Sequence, residues 1–277
     1  MKRAKLIGDS GGTKTDWVLI DELNNCHYFS TDSYHPIHLT KEWIQDKSCF
    51  WRDYTQKYEL VVHFFGAGCL REENQVKMLT AFEQWGIRNV TIKSDILAAY
   101  FATSNKASGF VAIVGTGSVI GRIENREVSQ IYGGLGYLKG DEGSGFYFGK
   151  LIIEKIIAGH FSINTEKELI EILGSKAFLK EKLGENLDKS FVASISFLLK
   201  DLQNEEILEA HLENSKTFIN LYLPKTEENR TIGIVGSYGF HQGQLYTEIF
   251  QKHGWKIEKL VEKPIRELAK YFMKNTF

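Results

Sequence analysis

Lys5-Leu6-Ile7-Gly8-Asp9-Ser10-Gly11-Gly12-Thr13-Lys14-Thr15-Asp16-Trp17-Val18-Leu19-Ile20 runs from one apolar, strand-like segment through eight small or polar residues into another. Small residues let a backbone approach a polyphosphate closely, and hydroxyls add donors. The stretch misses the P-loop spacing, because Thr13 stands where that pattern needs its second glycine. A P-loop also passes from strand to helix, whereas here the chain passes from strand to strand. A second stretch of the same kind lies in mid-chain: Phe110-Val111-Ala112-Ile113-Val114, then Gly115-Thr116-Gly117-Ser118, then Val119-Ile120-Gly121-Arg122-Ile123. It too is followed by a strand, which rules out a dinucleotide fingerprint opening a helix. Two phosphate hairpins in one chain predict a duplicated nucleotide-binding unit.

The surrounding pattern is α/β. Trp17 to Ile20, Cys26 to Thr31, Glu59 to Phe65 and Asn89 to Lys93 read as strands. Glu72 to Trp85 reads as a helix through Val76, Leu79, Phe82 and Trp85, and a helix opens at Ser94-Asp95. After the second hairpin comes the glycine-dense segment 133–149, then an apolar helix, Lys150 to Ile157. The region from Glu166 to Leu223 is mostly helical. A strand, Thr231 to Val235, meets the turn Gly236-Ser237-Tyr238-Gly239. A last helix carries apolar residues at Ile265, Leu268, Ala269 and Phe272. Its stripe requires a buried partner.

The 277 residues suffice for one large domain or two ordinary ones. A formal net charge of −1 argues against a nucleic-acid footprint, so an anionic ligand must be held by local amides and a metal. No apolar run approaches the roughly 20 residues of a membrane span. The basic start, Met1-Lys2-Arg3-Ala4, leads straight into a strand and does not read as a signal peptide. Three scattered cysteines, Cys26, Cys49 and Cys69, lack metal spacing and form no disulfide framework. The expected compartment is a reducing cytoplasm.

Several residues invite chemistry. A carboxylate beside bound phosphates makes sense with a cation between them. Asp9 therefore reads as a magnesium ligand acting through water, and Asp16 as a turn residue. Lys14 either reaches a terminal phosphate or sits on the surface. Asp95 is either the N-cap of its helix or a general base at the mouth of a cleft. The segment Gly133-Gly134-Leu135-Gly136-Tyr137-Leu138-Lys139-Gly140-Asp141-Glu142-Gly143-Ser144-Gly145 has too many glycines for a core element and reads as a ligand loop. The turn Gly236–Gly239 would let a flat ring lie on bare backbone. His35, His38 and His63 read as ordinary polar or core histidines.

Taken in order, GDSGGTKTDW (8–17), FGAGC (65–69), SDILAA (94–99), VGTGS (114–118), GGLGYLKGDEGSG (133–145) and VGSYG (235–239) resemble the N-acetylglucosamine kinase branch of the BadF/BadG ATPase family, within the actin-like sugar-kinase superfamily. The resemblance spans nearly the whole chain. It implies two actin-like (ribonuclease H-like) domains of duplicated βββαβα topology around a nucleotide cleft. Residues 1–105 would form the first, with a C-terminal helix over 262–277 packing back on it, and 106–261 the second. It implies ATP and Mg²⁺ as cofactors, a homodimer, and transfer of phosphate to the 6-hydroxyl of N-acetylglucosamine. ATP and its phosphates would meet Asp9, Ser10, Gly11, Gly12, Thr13, Lys14 and Thr15, then Gly115, Thr116 and Gly117, with Gly236, Ser237 and Gly239 at adenosine. The sugar would meet His35, Asp95, Thr116, Ser118, Gly134 and Asp141, with Asp95 as the base. Two positions depart from the pattern as usually seen. Tyr34-His35-Pro36-Ile37-His38 replaces a loop with asparagine, and Val119 replaces a polar residue; both bear on which sugar is taken. The same family contains ATPase activators that share an iron–sulfur cluster across a dimer, for which this chain offers one candidate cysteine, Cys69. A non-catalytic sugar or nucleotide sensor is the third class.

Overall fold

The structure is a computed structural model that describes residues 1–185, 187–228 and 230–274. The chain divides into two compact units, Met1–Asn105 with Lys263–Phe277, and Lys106–Glu262. Residues 275–277, part of the last helix expected from sequence, lie outside the described residues.

The first unit is built on a five-stranded sheet. Strands β1 (Lys2–Ser10), β2 (Lys14–Asp21) and β3 (Cys26–Asp32) form an antiparallel meander; β4 (Tyr58–Gly66) and β5 (Asn89–Ser94) add in parallel on the other side of β1. The order is β3-β2-β1-β4-β5. Helix α1 (Lys41–Lys57) connects β3 to β4, α2 (Glu72–Gln84) connects β4 to β5, and α3 (Asp95–Thr103) follows β5. The central strands β1 and β4 are buried in continuous stretches, Ala4 to Gly8 and Phe64 to Gly66, as neighbours covered by helices should be. The core is strongly aromatic: Trp17, Tyr34, Trp51, Phe64, Phe82 and Trp85 pack edge to face or stacked. Gly8 serves this core, since a Cβ there would lie 2.4 Å from the Trp17 ring. The helix expected over Glu72 to Trp85 forms, but its buried face is Met78, Ala81, Phe82 and Trp85, with Val76 turned outward.

The second unit repeats the plan. Strands β6 (Gly109–Val114), β7 (Ser118–Glu124) and β8 (Glu127–Gly133) form the meander, and β9 (Thr231–Val235) and β10 (Lys256–Val261) add in parallel, giving β10-β9-β6-β7-β8. Each unit thus carries the βββαβα order, continued by one further strand; the helices that follow these two strands, α3 and the last helix of the chain, both belong to the first unit. Between β8 and β9 run α4 (Gly145–Ala158), α5 (Ile163–Leu173), α6 (Lys176–Leu183), α7 (Lys189–Leu198) and α8 (Glu205–Tyr222). Helices α9 (Ser237–His241) and α10 (Gly243–Lys252) connect β9 to β10. Helix α4 lies against α7 so closely that a Cβ on Gly149 would fall within the Val192 carbonyl. The last helix, α11 (Ile265–Lys274), follows β10 in sequence but packs in the first unit, on α3, β1 and β2. It buries Ile265, Leu268 and Ala269, and Lys5 Nζ donates to the Phe272 carbonyl at 3.0 Å. Among the described residues no helix is long and apolar enough to cross a membrane.

Candidate functional site

In the first unit, three parallel strands deliver their C-terminal ends to one edge. Register places Asp9 on β1 beside Phe65 on β4, and Phe65 beside Lys93 on β5. Asp95 follows two residues on. At ~4.8 Å per strand, β1 and β5 stand about 10 Å apart, with Gly66 of β4 at the end between them. A Cβ on Gly66 would meet the Phe64 ring at 2.6 Å and Cys69 Sγ at 2.9 Å. That edge is therefore lined by two half-buried carboxylates.

Their electrostatics are distinctive. Burial raises Asp9 from 3.8 to about 7, helped by the neighbouring charges of Asp95 and Asp16 and opposed by Lys14. Burial raises Asp95 to about 6, opposed by hydrogen bonds from the Ile96 and Asp95 backbone. Two half-buried carboxylates held above their ordinary range at the ends of strands about 10 Å apart mark an edge where a cation would be welcome. Among the described residues no group of three or more His, Cys, Asp or Glu is placed to hold a metal. Magnesium needs only one or two protein carboxylates when phosphates and water complete its shell, so Asp9 fits such an ion.

Asp95 is not the N-cap of α3. Ser94 occupies that position and makes no side-chain cap bond; Asp95 is the first helical residue, and its Oδ1 accepts from Ile96 N at 3.0 Å. The carboxylate is thus oriented by its own helix start, where a negative charge is favoured.

The tip of the first hairpin divides into two populations. Gly11, Gly12, Thr13 and Lys14 are exposed, with Gly11 N bonded to Lys14 O at 3.0 Å. Ser10 and Thr15 are buried, and their hydroxyls bond each other at 2.8 Å and accept from Tyr34 N at 3.2 and 3.0 Å. The expectation that these two hydroxyls face a phosphate gives way to an internal role: they fasten the hairpin to the loop that follows β3. Ser33 adds to this by donating to Gly11 O at 2.6 Å. Lys14 pairs with Asp16 at 2.8 Å, and Asp16 also accepts from Ser30.

Beside the tip lies a groove of about 460 Å³ lined by Gly12, Thr13, Asp32, Ser33, Ile37, His38, Thr40 and Trp43. His35 caps the short 3-10 turn Pro36–His38, accepting from Ile37 N at 3.2 Å through Nδ1, which leaves the proton on Nε2. Its Nε2 side lies against Gly68, where a Cβ would be 3.0 Å away. Tyr34 points into the core instead, its hydroxyl accepting from Trp51 Nε1 at 3.1 Å. Cys69 is fully buried, and burial pushes its thiol up to about 12. A neutral thiol sealed in one unit's core is poorly placed to share a cluster with a second subunit.

In the second unit the matching turn, Gly115–Gly117, leans on the loop at 141–145. Gly145 N donates to Gly115 O at 2.8 Å and Phe146 N to Thr116 O at 3.3 Å, so the first turn of α4 is tied to it. Thr116 is exposed. Ser118 N donates to Asp141 Oδ1 at 3.3 Å and Ser118 Oγ to Glu142 O at 2.5 Å, which turns this hydroxyl inward. Asp141 has φ +64° and is 6 % exposed, and its carboxylate lies against Gly117, where a Cβ would come within 3.1 Å of either oxygen. Burial raises its carboxyl, opposed by the Ser118 N–H and the Lys189 charge. Gly134, at φ +68°, abuts Val119.

The glycines of the 236–239 turn have a structural cause. A Cβ on Gly236 would sit 2.4 Å from the Val114 carbonyl, and one on Gly239 2.9 Å from Ile234 and Val114 side chains. Their bare faces press on β6 and β9 rather than opening to a ring; Ser237 is the exposed member of the turn. Close by is a cavity of about 390 Å³ lined by Leu199, Lys200, Leu202, Gln203, Asn204, Glu205, Ile207, Leu208, His211 and Gln242. His211 Nδ1 is 2.8 Å from the Tyr238 hydroxyl. Sequence reasoning passed over this cavity and its polar floor. A signal existed, since His211 and Asn214 stand at positions of α8 whose neighbours in the stripe are Ile207, Ala210 and Phe218.

No family model matches the sequence, and no curated protein matches it either. Solved structures do match. A protein described as a candidate N-acetylglucosamine kinase from Porphyromonas gingivalis is 23% identical, with a TM-score of 0.84 over 98% of this chain and 99% of that one. A second, from Chromobacterium violaceum, is 15% identical with a TM-score of 0.73 over 97% and 98%. A ROK family glucokinase from Streptomyces griseus, solved with glucose and AMPPNP, is 14% identical with a TM-score of 0.53 over 97% of both chains. The chain has the actin-like ATPase fold. Two five-stranded sheets of the same order, one per unit, are its framework.

Proposed function

We propose that the protein transfers the γ-phosphoryl group of ATP to a hydroxyl of an amino sugar, with N-acetylglucosamine and its 6-hydroxyl as the best-supported acceptor. The observation that carries this reading is the pair of raised carboxylates at the ends of β1 and β5. Phosphoryl transfer asks a protein mainly for positioning and charge neutralisation, and a carboxylate aimed at the acceptor supplies the remaining need. Asp95 takes the proton from the attacking hydroxyl. With a pKa of about 6 it is mostly ionised at neutral pH yet basic enough to accept a proton. Its anchoring by Ile96 N–H fixes the carboxylate's direction before substrate arrives.

Asp9 would hold a magnesium ion, which when bound would neutralise charge on the phosphates. The exposed hairpin tip at Gly12 to Lys14 and the exposed Thr116 receive phosphate oxygens, and Ser237 with the neighbouring cavity receives the nucleoside. Asp141, Gly134 and His35 hold the sugar. The names of the two N-acetylglucosamine kinase-like structures support this acceptor over plain glucose.

The test is ATP consumption against a panel of N-acetylglucosamine, glucosamine, N-acetylmuramic acid and glucose, with and without magnesium. Sugar-dependent ADP release that is greatest with N-acetylglucosamine is expected. ADP release indifferent to every sugar, or none at all, sinks the reading.

A further inference from the structure

Within the second unit one buried side chain joins the 141–145 loop to the 236–239 turn. Asn214, fully buried on α8, accepts from Gly143 N at 2.6 Å through Oδ1. Its Nδ2 donates to Ser144 O at 3.0 Å and to the Tyr238 hydroxyl at 3.0 Å. Because that hydroxyl receives a proton from Asn214, its own proton is directed to His211 Nδ1, 2.8 Å away. His211 is stacked face to face on Phe148, with centroids 3.9 Å apart, and burial holds it at about 4, so it is neutral and able to accept. His211 also lines the 390 Å³ cavity. A hydrogen-bonded chain therefore leads from that cavity through His211, Tyr238 and Asn214 to Gly143 and Ser144, and Ser144 N in turn donates to Asp141 O at 3.0 Å.

The loop at the end of this chain needs holding. Asp141 and Gly143 both have positive φ, and a non-glycine residue is strained there. A second anchor, the Tyr246 hydroxyl on α10, donates directly to Gly143 O at 2.7 Å. Gly143 is thus gripped at both its N–H and its carbonyl, and only the grip through Asn214 leads on to Tyr238.

We propose that Asn214 and Tyr238 are positioning residues that make the geometry of the Asp141 loop depend on whether the Gly236–Gly239 turn and its cavity are occupied. The ligand part of this rests on the reading that a nucleoside binds there and that Asp141 meets the sugar. Coupling of two sites is reciprocal, so nucleotide would tighten sugar binding by the same factor that sugar tightens nucleotide.

The experiment compares the wild type with Tyr238→Phe and Tyr246→Phe, each as the full chain. Hydrogen exchange of the peptide covering residues 141–146 is followed with and without AMPPNP–Mg²⁺, and nucleotide binding is measured separately by calorimetry. Without ligand, both variants are expected to exchange about fivefold or more faster than wild type, since Tyr246→Phe loses a bond to the loop itself and Tyr238→Phe loses the bond that fixes Asn214, which holds the loop. AMPPNP is expected to slow exchange in wild type and in Tyr246→Phe but not in Tyr238→Phe. In steady-state assays Tyr238→Phe should raise the sugar KM at saturating ATP by about tenfold while kcat changes little, within the usual range of coupling. His211→Phe, which keeps the ring stack but removes the acceptor, is the second variant and should lower the coupling by a smaller factor. Equal protection by nucleotide in wild type and Tyr238→Phe overturns the proposal. So does unchanged exchange in ligand-free Tyr238→Phe, a result that leaves the kinase reading standing. Failure of AMPPNP to bind the wild type overturns the nucleotide reading instead, and the ligand-free comparison then decides the positioning role alone.

Discussion

Replacing Asp9 by asparagine should make the ligand-free protein more stable at neutral pH while removing its magnesium-dependent chemistry. The carboxyl is raised from 3.8 to about 7, chiefly by burial. A raised folded-state value means that the stability associated with this group is fully present below about pH 4. It is lost as pH climbs to about 7, because the folded state must then hold a charge that the unfolded chain exposes to water. At ~1.4 kcal/mol per tenfold change the full shift amounts to about 4 kcal/mol. The carboxyl is half-buried, and solvent screening on its open side brings this to ~2 kcal/mol. Asparagine keeps the shape and loses the charge. Melting is best followed by tryptophan emission, because four of the five tryptophans, Trp17, Trp43, Trp51 and Trp85, lie in the first unit. At ~2–4 °C per kcal/mol, Asp9→Asn should melt roughly 5 °C above wild type at pH 8 and level with it at pH 4. Taking the difference cancels the contributions of buried histidines, which titrate equally in both proteins. Magnesium with AMPPNP should raise the wild type and leave the variant unmoved. Curves that coincide at pH 8 would refute the reasoning, since Asp9 would then carry no penalty that a cation could relieve.

Asp95→Asn should retain its melting temperature within a few degrees and bind nucleotide, yet transfer phosphate at least ~10²-fold more slowly; near-normal turnover would remove Asp95 from the chemistry. Gly149→Ala would ordinarily gain up to ~1 kcal/mol in a helix. Here a Cβ would collide with the Val192 carbonyl, and overpacking of this kind costs ~1–3 kcal/mol, so denaturant unfolding should show a net loss; a gain would mean that α4 and α7 can part freely. His63, stacked on Phe272, is lowered to about 4 by burial and by Lys5. Its contribution is present above about pH 6.5 and lost as pH falls to about 4, so His63→Gln should narrow the acid-side loss by about 1–2 kcal/mol, measured as melting temperature from pH 7 to 4.

The fold was legible because its determinants are local. Glycine turns between apolar runs mark both meanders, and the alternation of strand and helix after them fixes a mixed sheet. Helix α1 is harder to read, because only Trp51 is fully buried and its other apolar residues, Trp43, Ile44, Phe50 and Tyr54, pack on the core half-buried among charged and polar neighbours. The stripe Val76, Leu79, Phe82 and Trp85 read for α2 holds at Phe82 and Trp85 and in part at Leu79, while Val76 turns outward and Met78 and Ala81 complete the buried face; which side of a helix meets the sheet depends on tertiary placement. At the site, the sequence shows which residues cluster but not which way their side chains point. Ser10, Thr15 and Ser118 are hydroxyls in glycine-rich turns, the composition expected of phosphate donors, and all three point inward. Gly8, Gly236 and Gly239 are glycines because Trp17, Val114 and Ile234 crowd them. Asp95 lies one residue inside its helix rather than at the cap, a distinction below the resolution of sequence boundaries.

Helix α11 has a consequence for how the chain comes to exist. It is the counterpart, by its place after β10, of α3 after β5, yet both pack together in the first unit. The surface of α3, β1 and β2 that receives Ile265, Leu268 and Ala269 is therefore made early in synthesis and covered only after the whole second unit has been translated. At ~5–20 residues per second this interval is on the order of 10–30 s. During that time β1 to β5 carry an open apolar face, whereas the second unit, Lys106–Glu262, has all its own elements once Glu262 emerges. The part of the chain that is born first is completed last, and its exposed face sets the window in which a chaperone, or a neighbouring nascent chain, can reach it.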